Sequence, residues 1–75
     1  MTIKEMETKF YQLNHSIIDG RNVFIYLISW PIGDLYFIQY EQKDLSLNDI
    51  YAGRSNQKAE KQYYQILTKM AKGNI

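Results

Sequence analysis

The chain has 75 residues, of which 45% are hydrophobic, with a net charge of +1 and no cysteine. This length fits a single domain over residues 1–75, built around one hydrophobic core. The missing cysteines exclude disulfides and thiolate metal sites, and the small net charge argues against a partner held mainly by electrostatics.

The sequence also lacks the signals of a membrane protein. No apolar run reaches the roughly 18 residues that a membrane-spanning helix needs. Residues 1–14 contain no hydrophobic signal-peptide core. We therefore expect a cytoplasmic protein with no membrane partner.

An amphipathic pattern opens the chain. Thr2 and Glu5 have the spacing of a helix capping box. Apolar residues follow at spacings of three, four, three and four: Ile3, Met6, Phe10, Leu13 and Ile17. Such a stripe predicts an α-helix that ends between residues 14 and 18, followed by a turn at Asp19 and Gly20.

Two runs rich in β-branched and aromatic residues come next, at residues 23–30 and 35–40. Their lengths and composition predict two strands. Pro31 and Gly33 lie between them and suit a tight turn, so the sequence predicts a β-hairpin.

Both faces of this hairpin are expected to be apolar, because successive strand residues point to opposite sides. On the first strand, Phe24, Tyr26, Ile28 and Trp30 alternate with Val23, Ile25, Leu27 and Ser29. The second strand alternates in the same way, and which of its two sets joins which remains open, because a shift of one residue inverts a strand. We expect the helices to cover one face and a protein partner to cover the other.

The last third of the chain predicts a second helix. Residues 47–52 form either a short third strand, which we favour, or one helical turn. Ser55 caps the following helix, Gly73 suits the position after its end, and its apolar stripe is Ala59, Tyr63, Ile66 and Met70. The predicted fold class is therefore α+β: helix, β-hairpin with a possible third strand, and helix, with both helices packed on an antiparallel sheet.

Catalytic chemistry finds little support in the sequence. His15 is the single histidine, and no spacing of histidine and carboxylates resembles a metal site. The segment Gly53-Arg54-Ser55 lacks the spacing of a phosphate-binding loop. We expect a protein that is not an enzyme and that holds no metal or cofactor.

The predicted elements follow the order helix, two strands, possible third strand and helix, and the last helix opens with Gly53-Arg54-Ser55-Asn56-Gln57-Lys58-Ala59. This order and this helix start resemble those of a double-stranded-RNA-binding domain. In that family, a Gly-x-Ser start precedes lysines that grip phosphates and an alanine that faces the sheet, and Gly53, Ser55 and Ala59 fall in register. The resemblance implies nucleic-acid binding through Arg54, Lys58 and Lys61. The chain departs from the pattern at residues 56 and 57, where Asn-Gln replaces paired lysines.

Charge and aromatic content indicate a protein partner instead. Residues 22–53 carry one lysine against four acidic residues, and residues 54–75 carry five basic residues against one glutamate, so copies of the chain could attract one another. Aromatic residues with a polar tip are enriched at interfaces, and the hairpin offers Tyr26, Trp30, Tyr36 and Tyr40 as candidate interface residues.

The composition, rich in Ile, Lys, Asn and Tyr, resembles that of small phage and mobile-element proteins of low-GC Gram-positive bacteria. We expect a non-catalytic protein–protein interaction module that dimerises or binds another protein. The composition suggests an inhibitor of a host replication, transcription or defence protein. Nucleic-acid binding is the alternative.

Overall fold

The computed structural model describes residues 9–75, which form four strands followed by one helix. The elements are β1 Lys9–Ile18, β2 Arg21–Trp30, β3 Gly33–Glu41, β4 Leu47–Gly53 and α1 Asn56–Ala71. The strands form one antiparallel sheet in the order β1-β2-β3-β4, with α1 against one face. The predicted arrangement of helix, hairpin and helix is therefore wrong, because the structure has one helix on a four-stranded sheet.

The error lies in the first predicted helix. Residues 9–18 form β1, and the Thr2–Glu5 capping box lies outside the described residues. Leu13 is a bulge, because Gln12 and Asn14 pair with consecutive residues of β2 and Leu13 pairs with none. A bulge adds one residue to a strand, so Phe10 and Ile17, seven residues apart, face the same side as they would in a helix.

The turn at Asp19 and Gly20 joins β1 to β2 as a two-residue hairpin loop. Ile18 pairs with Arg21, and the φ angles of Asp19 and Gly20 are 51° and 74°. Positive φ at both central residues is the geometry of a type I′ turn, for which Asp-Gly is a preferred sequence. The sequence predicts the turn at the correct residues, but it predicts a helix before the turn where the structure has a strand.

The predicted hairpin is present as β2 and β3, and its register divides the apolar side chains between two faces. Ile25 pairs with Ile38, Tyr26 with Phe37, and Trp30 with Gly33 across the loop. The third strand that we favoured is β4, which pairs with the outer side of β3.

The predicted last helix is also present, with the expected signals at both ends. The Ser55 hydroxyl accepts a hydrogen bond from the Lys58 backbone N–H (3.4 Å), and Gly73 follows the helix with a φ of 77°. The buried residues of α1 are those of the predicted stripe: Ala59, Tyr63, Ile66 and Met70.

The core lies between α1 and one face of the sheet. Its strand residues come from β2, β3 and β4: Val23, Ile25, Tyr36, Ile38 and Ala52. A hydrogen bond of 2.5 Å between the Tyr63 and Ser16 hydroxyls ties α1 to β1. The Arg21 guanidinium donates to the Ile75 carbonyl (2.7 Å) and holds the segment after α1 against the sheet.

Within residues 9–75, the structure contains no helix that combines the length and the apolar character needed to cross a membrane. The opposite face of the sheet has no layer of described residues packed on it. Exposed large side chains on that face include Phe10 (71% exposed), Ile17 (63%) and Tyr51 (53%).

Two isoleucines on opposite faces test this one-sided core. Ile38 is fully buried and Ile17 is 63% exposed. We expect Ile38→Val to lower the free energy of unfolding by about 0.5–1.5 kcal/mol, and Ile17→Val to change it by less than about 0.5 kcal/mol. Denaturant unfolding of dilute protein measures both changes. Equal losses would show that the second face is as well packed as the first.

Candidate functional site

The candidate site is the face of the sheet opposite α1, which we call the open face. The strand registers arrange its side chains in four rows that run across the sheet from β1 to β4. The first row is Ile17, Asn22, Glu41 and Leu47; the second is His15, Phe24, Gln39 and Asp49; the third is Gln12, Tyr26, Phe37 and Tyr51; the fourth is Phe10, Ile28 and Leu35. Trp30 lies beyond the fourth row, at the hairpin loop.

The polarity of the open face changes along the strands. The first and second rows combine apolar side chains with both carboxylates of the face, Glu41 and Asp49. The third and fourth rows are aromatic and aliphatic apart from Gln12. The open face is therefore apolar toward the β2–β3 loop and acidic toward the β1–β2 turn.

A hydrogen-bonded network organises the acidic end. The Glu41 carboxylate accepts a bond from the Asn22 backbone N–H (2.7 Å) and another from the Asn22 side-chain amide. The Asn22 side-chain oxygen bonds to Nε2 of His15 (2.8 Å). Because that oxygen can only accept, Nε2 carries a proton. The His15 ring is also stacked on Phe24, with ring centroids 4.4 Å apart.

Aromatic rings cover the middle of the open face. Phe24 stacks on Tyr26 with centroids 5.9 Å apart, and Phe37 meets Tyr51 at 5.3 Å with the planes tilted by 49°. The Tyr26 hydroxyl donates to the Gln39 side-chain oxygen (3.0 Å). These contacts restrict the positions of the rings on the open face.

The structure separates the four predicted interface residues. Tyr26 and Trp30 lie on the open face, and Trp30 is 44% exposed. Tyr36 and Tyr40 point to the side of α1: Tyr36 belongs to the core, and Tyr40 packs against it and accepts a hydrogen bond from Asn48 (2.9 Å). The strand register separates the four residues. Tyr36 and Tyr40 each lie two residues from Ile38 and so share its face, and Ile38 is buried opposite Ile25.

The predicted nucleic-acid residues all lie at the start of α1 and are exposed. Arg54 lies beside the β2–β3 loop and, with Trp30, Ile32, Gly33 and Leu35, lines a shallow depression there. Lys58 and Lys61 lie in the first two turns of α1, away from the open face. The structure therefore brings Arg54 to the edge of the open face and leaves the two lysines on the helix.

β1 and β4 contribute side chains to the open face that the sequence does not assign to a binding surface. Gln12, His15, Asp49 and Tyr51 complete the second and third rows, yet the segment containing Gln12 and His15 was predicted as a helix. The expected short third strand over residues 47–52, with the β-favouring pair Ile50 and Tyr51, was the available sequence signal for Tyr51. No comparable signal marked β1, because the bulge at Leu13 breaks its alternation.

The described residues of this surface show no arrangement that would bind a metal or a cofactor. Among residues 9–75, no three side chains of the His, Cys, Asp or Glu type come together in a group that could hold a metal ion. His15 is bonded to an amide and stacked on a ring, which is a positioning arrangement. The open face offers contact area and shape.

The network around Glu41 predicts a pH dependence of stability. Hydrogen bonds from the backbone and then the side chain of Asn22 hold the pKa of Glu41 below its usual 4.5. A lowered pKa in the folded state stabilises the protein above the unfolded pKa, and this stabilisation is lost as the pH falls from about 4.5 through the folded pKa. We expect Glu41→Gln to flatten the acid limb of a plot of unfolding free energy against pH. Glu60→Gln on α1 controls for the loss of one charge, and an identical effect of both variants would contradict the role of the network.

Comparisons with other proteins add no family to this description. No protein-family model, curated protein or solved structure matches the chain.

Proposed function

We propose that the protein is a non-catalytic protein–protein interaction module and that the open face is its binding surface. The observation that carries this proposal is that, within residues 9–75, the sheet has apolar side chains on both faces and one helix to cover them. Contiguous exposed apolar surface on a small domain marks an interaction site. The aromatic third and fourth rows provide the large, rigid side chains that dominate binding energy at interfaces.

The charges of the open face favour a protein over a nucleic acid. Glu41 and Asp49 are the charged side chains that residues 9–75 place within its rows, and phosphates would be repelled by both. Tyrosine hydroxyls and the Gln39 amide supply the polar contacts that protein interfaces combine with apolar area. A partner with apolar and weakly basic surface fits this pattern.

An inhibitor of a host replication, transcription or defence protein is a narrower form of this proposal. It rests on composition, and such an inhibitor would place the aromatic rows on its target. The wider proposal, a protein-binding open face, stands without it.

Two tyrosines provide a matched test of the binding surface. Tyr51 on the open face is 53% exposed and Tyr64 on α1 is 56% exposed. We expect nitration to modify Tyr64 readily and Tyr51 slowly when the protein is concentrated or bound to its partner. The reason is that the interface covers Tyr51 and leaves Tyr64 exposed. Mass spectrometry of the peptides measures both rates. Dilution of the isolated protein should remove any protection that comes from self-association.

The same pair supplies the variants. Tyr51→Ser should abolish association with the partner, while Tyr64→Ser should leave it unchanged; circular dichroism checks that both remain folded. If Tyr51 and Tyr64 are nitrated at equal rates under every condition, and no protein associates with the chain, the open face is not a binding surface.

Nucleic-acid binding is a second candidate, favoured by one observation on α1. Lys58, Lys61, Lys69 and Lys72 are exposed and separated by three, eight and three residues, which places them along one side of the helix. Glu60, the acidic residue of α1, lies on a different side. This candidate now rests on the lysine row, because residues 9–18 form a strand where the resemblance in element order expects a helix.

A mobility-shift titration tests the lysine row. We expect duplex RNA or DNA to bind with an affinity that falls steeply with salt, and Lys58→Ala with Lys61→Ala to weaken binding and reduce that salt dependence, because two phosphate contacts are lost. Lys9→Ala with Lys43→Ala removes the same charge elsewhere and is the control. Absence of a shift at low salt would reject this candidate.

A further inference from the structure

We propose that the occupant of the open face is a second copy of the same chain, related by a two-fold axis that runs parallel to the strands between β2 and β3. This inference rests on the proposed function of the open face as a protein-binding surface and names its partner. It follows from the size of the face and from the pattern of its rows.

The open face has the size that a stable dimer needs. Four strands about 4.8 Å apart and about eight residues long at 3.4 Å each span roughly 19 by 27 Å, or about 500 Å² in projection. Accessible area on a surface of projecting side chains exceeds its projection, so two copies together bury more than about 1,000 Å², the lower limit for a specific interface. Two sheets packed in this way form a β-sandwich with a helix on each outer side.

Under the proposed axis, each row of one copy lies over the same row of the other copy. A half-turn about an axis parallel to the strands places β1 over β4 and β2 over β3 of the second copy. The apolar third and fourth rows then meet the apolar rows of the other copy, and the polar rows meet each other. Near the axis, Tyr26 packs against Phe37 of the second copy, and Ile28 packs against Leu35.

The outer strands are complementary under the same operation. In the second row, Asp49 on β4 meets His15 on β1 of the second copy, so a carboxylate faces an imidazole and not another carboxylate. Nε2 of His15 is bonded to Asn22, so Nδ1 can donate to the Asp49 carboxylate when the ring is an imidazolium, which is the form that a facing carboxylate favours. At the other end, Arg54 beside β4 comes near the exposed ring of Phe10, where a cation–π contact is favourable.

A two-fold axis across the strands fits the face less well. It would place the first and second rows of one copy over the third and fourth rows of the other. Glu41 would then lie against Ile28 or Leu35, and burial of a carboxylate on apolar side chains without a counter-charge is costly. The row pattern therefore favours the axis parallel to the strands.

Paired cysteines test the axis directly, because the chain has no cysteine of its own. Ile17 and Leu47 lie on β1 and β4 in the first row, and three strand spacings separate them by about 14 Å within one chain. Under the proposed axis, each faces the other residue of the second copy across two sheets about 10 Å apart, a distance too wide for a disulfide but within reach of a short thiol crosslinker. We expect a crosslinker that spans less than about 14 Å to join Ile17→Cys/Leu47→Cys into covalent dimers, and each single variant to stay uncrosslinked.

Exchanged charges give an independent test of the second row. His15→Glu places two carboxylates opposite each other, and we expect the dimer dissociation constant to rise by about tenfold or more. His15→Glu/Asp49→Lys restores an attractive pair and should recover most of the lost affinity. Analytical ultracentrifugation measures the constants, and thermal unfolding of dilute protein separates any loss of fold stability.

The outcomes separate this inference from the proposed function. A chain that stays monomeric at high concentration, while another protein protects Tyr51 from nitration, overturns the dimer and leaves the open face as a binding surface. A dimer that crosslinks through the single variants overturns the axis. A monomer with unprotected Tyr51 and no associated protein overturns both.

Discussion

Within residues 9–75, one helix covers one face of a sheet whose two faces are both apolar, and this mismatch underlies the remaining features of the fold. An α-helix with its side chains is about 10–12 Å wide, so α1 can cover the strand side chains on one face of the sheet only. Ile38 is fully buried in that layer, whereas the side chains of Phe37 and Tyr51, on neighbouring strands, point away from it. No element within residues 9–75 covers the second layer of aromatic side chains.

The open face is ordered in spite of its exposure. Several of its polar groups are bonded within the face, as Glu41 is to Asn22 and Tyr26 is to Gln39. Its central rings are in contact with one another, and the strands beneath are held by the core on the other side. Side chains that are already held in place lose little conformational entropy on binding.

Charge divides the molecule into two unlike surfaces. The open face carries carboxylates, and the outer side of α1 carries the row of lysines that includes Lys58 and Lys61. Opposite charges on separate surfaces allow two partners of different kinds, because a polyanion attracted by the helix is repelled by the sheet. A sandwich of two open faces would leave both helices outward, with both lysine rows accessible on one particle.

The sequence alone determined the elements whose signals are local. Composition and turn residues predicted the β2–β3 hairpin, and the cap at Ser55 and the stripe through Tyr63 predicted α1, because propensity, capping and periodicity act over a few residues. Tertiary structure decided the rest. The bulge at Leu13 gives the apolar residues of β1 the spacing of a helix, and only the pairing with β2 shows that this segment is a strand. Strand register, set by the hydrogen bonds between β2 and β3, buried Tyr36 and left Tyr26 on the open face, since a shift of one residue exchanges the two faces of a strand.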